Sequence, residues 1–147
     1  REGEKLERVV QRELSELRSH SEWIAKHRED LNDRYFRKLE NRLKEWSERT
    51  QARIDESRLY QEVAFYLDRS DVAEELDRLA SHLKQCEDAV KGSANGSIGK
   101  RLEFLAQELG REVNTIGSKN DHAQVTTHVV EMKLAIERLR EQVQNVE

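Results

Sequence analysis

Proline is absent from this 147-residue chain, so no position carries the ring that breaks an α-helix from within. Glycine is nearly as confined: of six, only Gly3 falls outside the stretch from Gly92 to Gly117. Aromatic residues make up 5% of the chain, which disfavours a sheet, because strands draw on aromatic and β-branched side chains. The single cysteine, Cys86, excludes an internal disulfide. It sits at an apolar position of a helical repeat, which points to a buried free thiol in a reducing compartment. No apolar run approaches the ~18 residues of a membrane span, and no signal peptide is visible. The chain starts at Arg1 rather than at methionine, so we expect a piece excised from a longer protein. A net charge of −4 gives no bulk attraction for nucleic acid and leaves room only for a local basic groove.

What is there instead is 38% charged and 35% hydrophobic residues, a balance that suits long solvated helices with narrow apolar stripes. From about Glu4 to Glu48, Leu6, Val10, Leu14, Leu17, Ile24, Leu31, Tyr35, Leu39, Leu43 and Trp46 recur mostly at spacings of three, four or seven. One long helix or two nearly collinear ones fit, and so long a stripe needs a partner helix or another subunit to cover it. Asp55 can accept from the unpaired amides of a second helix. Asp71 and Glu74 form an acidic variant of a capping box, so that helix is expected to kink or restart near Ser70. Val72, Leu76, Leu79, Leu83, Cys86 and Val90 follow as a heptad-like seam. GSANGSIG, Gly92 to Gly99, reads as a loop. A third helix carries Leu102, Leu105, Leu109, Val113 and Ile116 and is expected to end at Gly117 in a left-handed cap. A last helix from about Asp121 carries Val125, Val129, Met132, Ile136, Leu139 and Val143. The expected fold is all-α, long antiparallel helices in a hairpin or bundle without a sheet. Residues 1–54 read as a long helical arm and 55–147 as a helical domain.

Three clusters could carry chemistry. Asp71, Glu75, Arg78 and His82 fall on one helical strip, with Glu74 beside them. Two carboxylates and an imidazole at that spacing can ligate a divalent metal; they equally suit a cap, a Glu75–Arg78 ion pair and a helix contact at His82. Glu108 and Glu112 share a face of the third helix, with Arg111 and Lys119 able to stabilise a phosphate and Asn114 able to contact a base edge or ribose. The same residues also read as an ordinary charged surface ahead of a cap. Arg34, Arg37, Lys38, Arg42 and Lys44 lie between Tyr35 and Trp46, a basic and aromatic combination suited to unpaired RNA. Interleaved Asp30, Asp33, Glu40 and Glu45 allow plain i, i+4 ion pairs instead. His20, His27, His122 and His128 show no compact metal-ligand spacing, and no phosphate loop, Ser-His-Asp arrangement or CxxC pair is present.

Longer motifs reach further. DESRLYQEVAFYLDRSDVAEELDRLASHL, Asp55 to Leu83, contains Asp-Glu-x-Arg-Leu, Gln-Glu-Val, Asp-Val-x-Glu-Glu-Leu and Arg-Leu-x-Ser-His. The stretch from Gly99 to Glu147 contains Gly-Lys-x-Leu-x-Phe-Leu-x-Gln-Glu, Arg-Glu-x-Asn-Thr-Ile-Gly-Ser-Lys and a terminal Arg-Glu-Gln-Val-Gln-Asn-Val-Glu. In these runs the chain resembles the C-terminal half of the YicC-like endoribonucleases, strongly over residues 55–147 and more weakly over 1–54. It departs from their pattern at Glu103, where aspartate is usual, at Gly110, where a larger residue is common, and in lacking a proline midway along the first segment. The resemblance implies a cytoplasmic bacterial endoribonuclease that needs a divalent cation, Mn²⁺ or Mg²⁺, and works as a homo-oligomer, a hexamer, on an RNA substrate. It also implies an N-terminal domain outside this chain. On that basis we expect Asp71, Glu75, His82, Glu108 and Glu112 to hold the metal. Glu108, Arg111, Glu112, Asn114 and Lys119 would form the catalytic set, and Arg78 with Arg34, Arg37, Lys38 and Arg42 would bind RNA. The alternative is a non-catalytic helical module for oligomerisation or RNA binding, with the chemistry in the missing N-terminal half.

Overall fold

The computed structural model describes residues 2–53, 55–92, 98–120 and 122–145, and among them every regular element is an α-helix. Five follow in order: α1 (Glu2–Thr50), α2 (Glu56–Ser70), α3 (Ala73–Lys91), α4 (Ile98–Lys119) and α5 (Ala123–Gln144). The predicted all-α fold is the observed one. None of these helices is long and apolar enough to cross a membrane.

The first segment forms one helix of 49 residues. It stops at Gln51, whose φ of 55° lies in the left-handed region that ends a helix, while the Thr50 hydroxyl donates to the Trp46 carbonyl at 2.8 Å. At the start of α2, Asp55 is the expected cap: its Oδ1 accepts from the Ser57 and Arg58 amides at 3.1 and 3.4 Å. The chain breaks at Asp71, as expected near Ser70. Asp71 terminates α2 in extended conformation, and the residue ahead of α3 is Val72, which makes no side-chain cap. Val72 is instead almost wholly buried, so apolar packing sets the entry to α3.

The chain divides into two compact units, Arg1–Ala25 with Val72–Glu147, and Lys26–Asp71. In the larger unit α4 packs against both α3 and α5. The pairs Glu75–Lys119 and Arg78–Glu112 run in opposite chain directions, so α3 and α4 are antiparallel; Glu103–Arg140 with Gly117–Val129 show the same for α4 and α5. The N-terminal stretch of α1 joins this unit through Val10, Leu14, Leu17 and Ile24, all buried, and through an ion pair of Glu13 with Arg138 on α5. In the smaller unit, α1 and α2 meet through stacked rings of Tyr35 and Tyr66, 4.0 Å between centroids. The stripe of α1 is thus covered inside the chain from Val10 to Leu31, while Trp46 at its far end is exposed. Cys86 is buried and free, as expected, and desolvation pushes its thiol up to about 12.

The left-handed cap at Gly117 does not exist. Helix α4 continues through Gly117 to Lys119, and no described glycine has positive φ. The reason for glycine there is packing: a Cβ at this position would sit 3.1 Å from Cγ1 of Val129, so the bare backbone lets α5 approach α4. Of the expected loop Gly92–Gly99, residues 93–97 lie outside the described residues while Ile98 and Gly99 already belong to α4, and the expected start of the last helix, Asp121, also lies outside the described residues.

Candidate functional site

Within the larger unit, two buried carboxylates from different helices each capture a cation. Glu75 on α3 is 3% exposed and Glu112 on α4 is 5% exposed. Heptad-like packing of α3 against α4 puts both at the inter-helix seam, where a lone charge is costly. The Arg78 Nε lies 3.0 Å from both carboxylate oxygens of Glu112, and its Nη2 is 3.5 Å from Glu75 Oε2. Lys119 Nζ donates to the same Glu75 Oε2 at 2.8 Å. Each buried carboxylate is thus matched by a cation, and the exposed Glu74 adds a third carboxylate 3.5 Å from Arg78 Nη1. The cations keep their outer ends in solvent, with side chains 49% exposed for Arg78 and 36% for Lys119.

Burial opposes ionisation of Glu75, but the hydrogen bond from Lys119, a backbone hydrogen bond and the charges of Lys119 and Arg78 outweigh it, holding the carboxyl below the usual glutamate range. The hydrogen bond to Glu112 raises the Arg78 guanidinium further above its ordinary value. A carboxyl lowered in the folded state stabilises the fold above the unfolded value near 4.5, and loses that contribution as pH falls through the folded value. Acid titration of the folded chain should therefore show a loss of stability below about pH 4.5 that is shallower in Glu75→Gln. Identical slopes for the two proteins, followed by helical circular dichroism, would contradict this assignment.

The other expected residues are distributed more widely. Glu108 lies one turn from Glu112 and 3.9 Å from Arg111, which is 74% exposed. Asn114 is exposed and stands about 200° round α4 from Glu112 at roughly 100° per residue, so the helix turns it away from the cluster. Lys119 meets Glu75 directly from the last turn of α4, rather than turning back toward Glu108 and Glu112 from beyond a cap. His82 is half-buried, and its buried Nδ1 has no hydrogen-bond partner among the described residues; nor has Glu75 Oε1. Asp71 belongs to the smaller unit, where Arg28 holds it at 2.8 Å.

A divalent cation does not fit this set as it stands. Arg78 and Lys119 already neutralise Glu75 and Glu112. Among the described residues, no three of Glu75, His82, Glu108 and Glu112 gather ligand atoms within 4.8 Å of one another. Glu16, His20 and Glu131 do. The histidine spacing hid them, because the third member lies on α5, more than a hundred residues from the other two. The visible signal was Glu-x-x-x-His at Glu16 and His20, which puts both on one helical face.

The smaller unit carries the basic set. Arg34, Lys38 and Arg42 follow at four-residue steps beside the stripe, with Arg37 three residues from Arg34 on the adjoining flank; all four are exposed. Arg34 is paired with Asp30 at 3.1 Å. Next to them a groove of about 440 Å³ is lined by Tyr35, Leu39, Leu43, Trp46, Leu59 and Tyr66, with Arg58 and Glu62 at its polar side. Trp46 is 56% exposed there.

Comparison with known proteins agrees with the motif reading. The family model for the C-terminal part of YicC-like endoribonucleases matches residues 24–147. A probable endoribonuclease YicC from Clostridioides difficile (strain 630) is 40% identical over 146 residues, covering 99% of this chain and 49% of that protein. The probable endoribonuclease YicC of Haemophilus influenzae (strain ATCC 51907 / DSM 11121 / KW20 / Rd) is 37% identical over 147 residues, 100% of this chain and 49% of its own length. The chain spans about half the length of the curated relatives it matches. With its motifs, its helices and its sequence all in agreement, the chain belongs to the YicC-like endoribonuclease family.

Proposed function

We propose that this chain is the helical half of an endoribonuclease that cleaves RNA phosphodiester bonds as a homo-oligomer in the cytoplasm. The observation that carries the reading is the pair of solvent-facing cations, Arg78 and Lys119, held by the buried carboxylates Glu112 and Glu75. Such cations are oriented before substrate arrives, so little reorganisation is needed when a phosphate takes on charge in the transition state. Arg78 and Lys119 hold the scissile phosphate, with the exposed Arg111 within the same helical surface. Glu75 and Glu112 position the cations rather than accept protons. In the smaller unit, Arg34, Lys38 and Arg42 bind backbone phosphates, and the Trp46 groove receives an unpaired base. The divalent-cation requirement, Mn²⁺ or Mg²⁺, remains part of the proposal, with no ligand assigned among Asp71, Glu75, His82, Glu108 and Glu112.

One observation favours the rival reading of an oligomerisation module: Phe104, Val130 and Leu134 are 59%, 49% and 43% exposed, an amount of open apolar surface that suits contact with another subunit. Incubating the chain with an end-labelled structured RNA, with Mn²⁺ or with chelator, separates the two. Internal cleavage that requires the ion and falls in Arg78→Met supports the enzyme; a stable oligomer that binds RNA without cutting it supports the module.

A further inference from the structure

Helices α1 and α5 bring together four donors that neither the acidic clusters nor the family motifs indicate. From α1 come Glu16 and His20, one turn apart; from α5 come His128 and Glu131, also one turn apart. All four are half-buried. One ligand atom each from Glu16, His20 and Glu131 lies within 4.8 Å of the other two. The Nδ1 atoms of His20 and His128 are 2.7 Å apart, and Trp23 stacks on the His128 ring at 4.1 Å between centroids.

We propose that Glu16, His20 and Glu131 form a binding site for a divalent first-row transition cation, with His128 as the hydrogen-bond partner that fixes the His20 ring. Contact between two Nδ1 atoms at 2.7 Å requires one to carry the proton and the other to accept it. With His20 as donor, its other ring nitrogen keeps a bare lone pair, the form in which imidazole ligates a metal. Metal-bound histidine ordinarily passes its remaining N–H to a carboxylate, carbonyl or water, a place taken here by the His128 ring, on which Trp23 stacks. Three ligands about 2.0–2.2 Å from a common ion stand roughly 3.3–3.8 Å apart, so shifts of up to about 0.6 Å in flexible glutamates complete the shell.

The charge balance agrees. Glu16 Oε2 accepts from Arg138 Nη2 at 3.0 Å, but Arg138 is held independently by both oxygens of the buried Glu13, at 2.9 and 3.2 Å. Glu16 can therefore turn to a cation without stranding Arg138. One imidazole with two carboxylates selects Mn²⁺, Zn²⁺ or their neighbours over Mg²⁺ and Ca²⁺, which prefer oxygen throughout. Ligands from two facing helices are also how bundles build metal sites.

The site rests on no step of the ribonuclease reading, and its test needs no RNA. Chelator-stripped chain is titrated with Zn²⁺ by calorimetry and with Mn²⁺ by loss of the free-ion electron paramagnetic resonance signal. One ion per chain is expected, with affinity at least about 10-fold weaker in Glu131→Gln and in His20→Ala, and about 10- to 100-fold weaker in His128→Phe. Saturating metal should raise the melting temperature of the parent chain and not that of Glu131→Gln. Glu112→Gln, in the α3–α4 cluster, should bind like the parent. Absence of saturable binding, or equal affinity in the parent and Glu131→Gln with the latter still fully helical, overturns the site. A chain that binds the ion here but leaves RNA intact overturns the ribonuclease proposal alone.

Discussion

Exchanging Lys119 for methionine should reduce RNA cleavage by about 100- to 1,000-fold, the scale on which a pre-oriented donor to a developing phosphate charge contributes. It should also destabilise the fold. Lys119 gives the 2.8 Å hydrogen bond to Glu75, whose side chain is 4% exposed and whose other oxygen has no partner among the described residues. Removing one partner of a fully buried pair costs about 3–5 kcal/mol. Lys119 is itself 36% exposed, so solvent screening reduces the expected loss to about 1–3 kcal/mol. Burial is the largest influence on Glu75, and without the lysine its hydrogen bond and charge no longer oppose it, so the carboxyl rises and the acid-sensitive part of the stability curve moves to higher pH. The double variant Lys119→Met with Glu75→Gln separates the two roles. Stability should largely return, because no buried charge is left unpaired, while cleavage stays low, because the cation is still missing. If the double variant recovers both, Lys119 serves only the fold and the phosphate-holding role is lost.

The helices were legible because each apolar stripe repeats at three and four residues and no proline interrupts it. Leu102, Leu105, Leu109, Val113 and Ile116 are all buried where the spacing placed them. Helix ends were harder. Asp55 acts as the expected cap because its oxygen needs only the amides that follow it. Gly117 misled, since a glycine that makes room for a facing helix and a glycine that ends its own are identical in one sequence; only the contact with Val129 decides between them. Local spacing likewise gave no sign that Arg28, on a distant stretch of chain, pairs with the Asp71 carboxylate. The acidic spacing did pick out residues of α3 and α4 that come together, since Glu75, Arg78, Glu112 and Lys119 meet. What spacing could not show is that the cations there fill the places a metal was expected to take. Nor could it join Glu131 to Glu16 and His20, a proximity created by antiparallel packing over more than a hundred residues.

Truncating Leu109 to alanine should have the largest effect on stability, about 2–5 kcal/mol. Leu109 has no exposed surface, and α4 is the helix that packs on both α3 and α5, so a cavity there is lined from two sides and closes poorly. For a unit of about a hundred residues, at about 4 °C per kcal/mol, that loss lowers the melting temperature by roughly 8–20 °C. Leu134→Ala on the adjacent helix is the matched control. Leu134 is 43% exposed, and its truncation should change the unfolding free energy by no more than about 0.5 kcal/mol. Urea unfolding followed by helical circular dichroism measures both, and comparable losses from the two would contradict the core described here. Because α4 also carries Glu112 and Lys119, the Leu109 variant tests what the fold contributes to the chemistry. Well below its melting temperature the cluster should remain assembled and cleavage per folded chain should be unchanged. Activity that falls before the helices melt would mean that packing at Leu109 fixes the spacing of α3 and α4, and with it the grip of Glu75 and Glu112 on their cations.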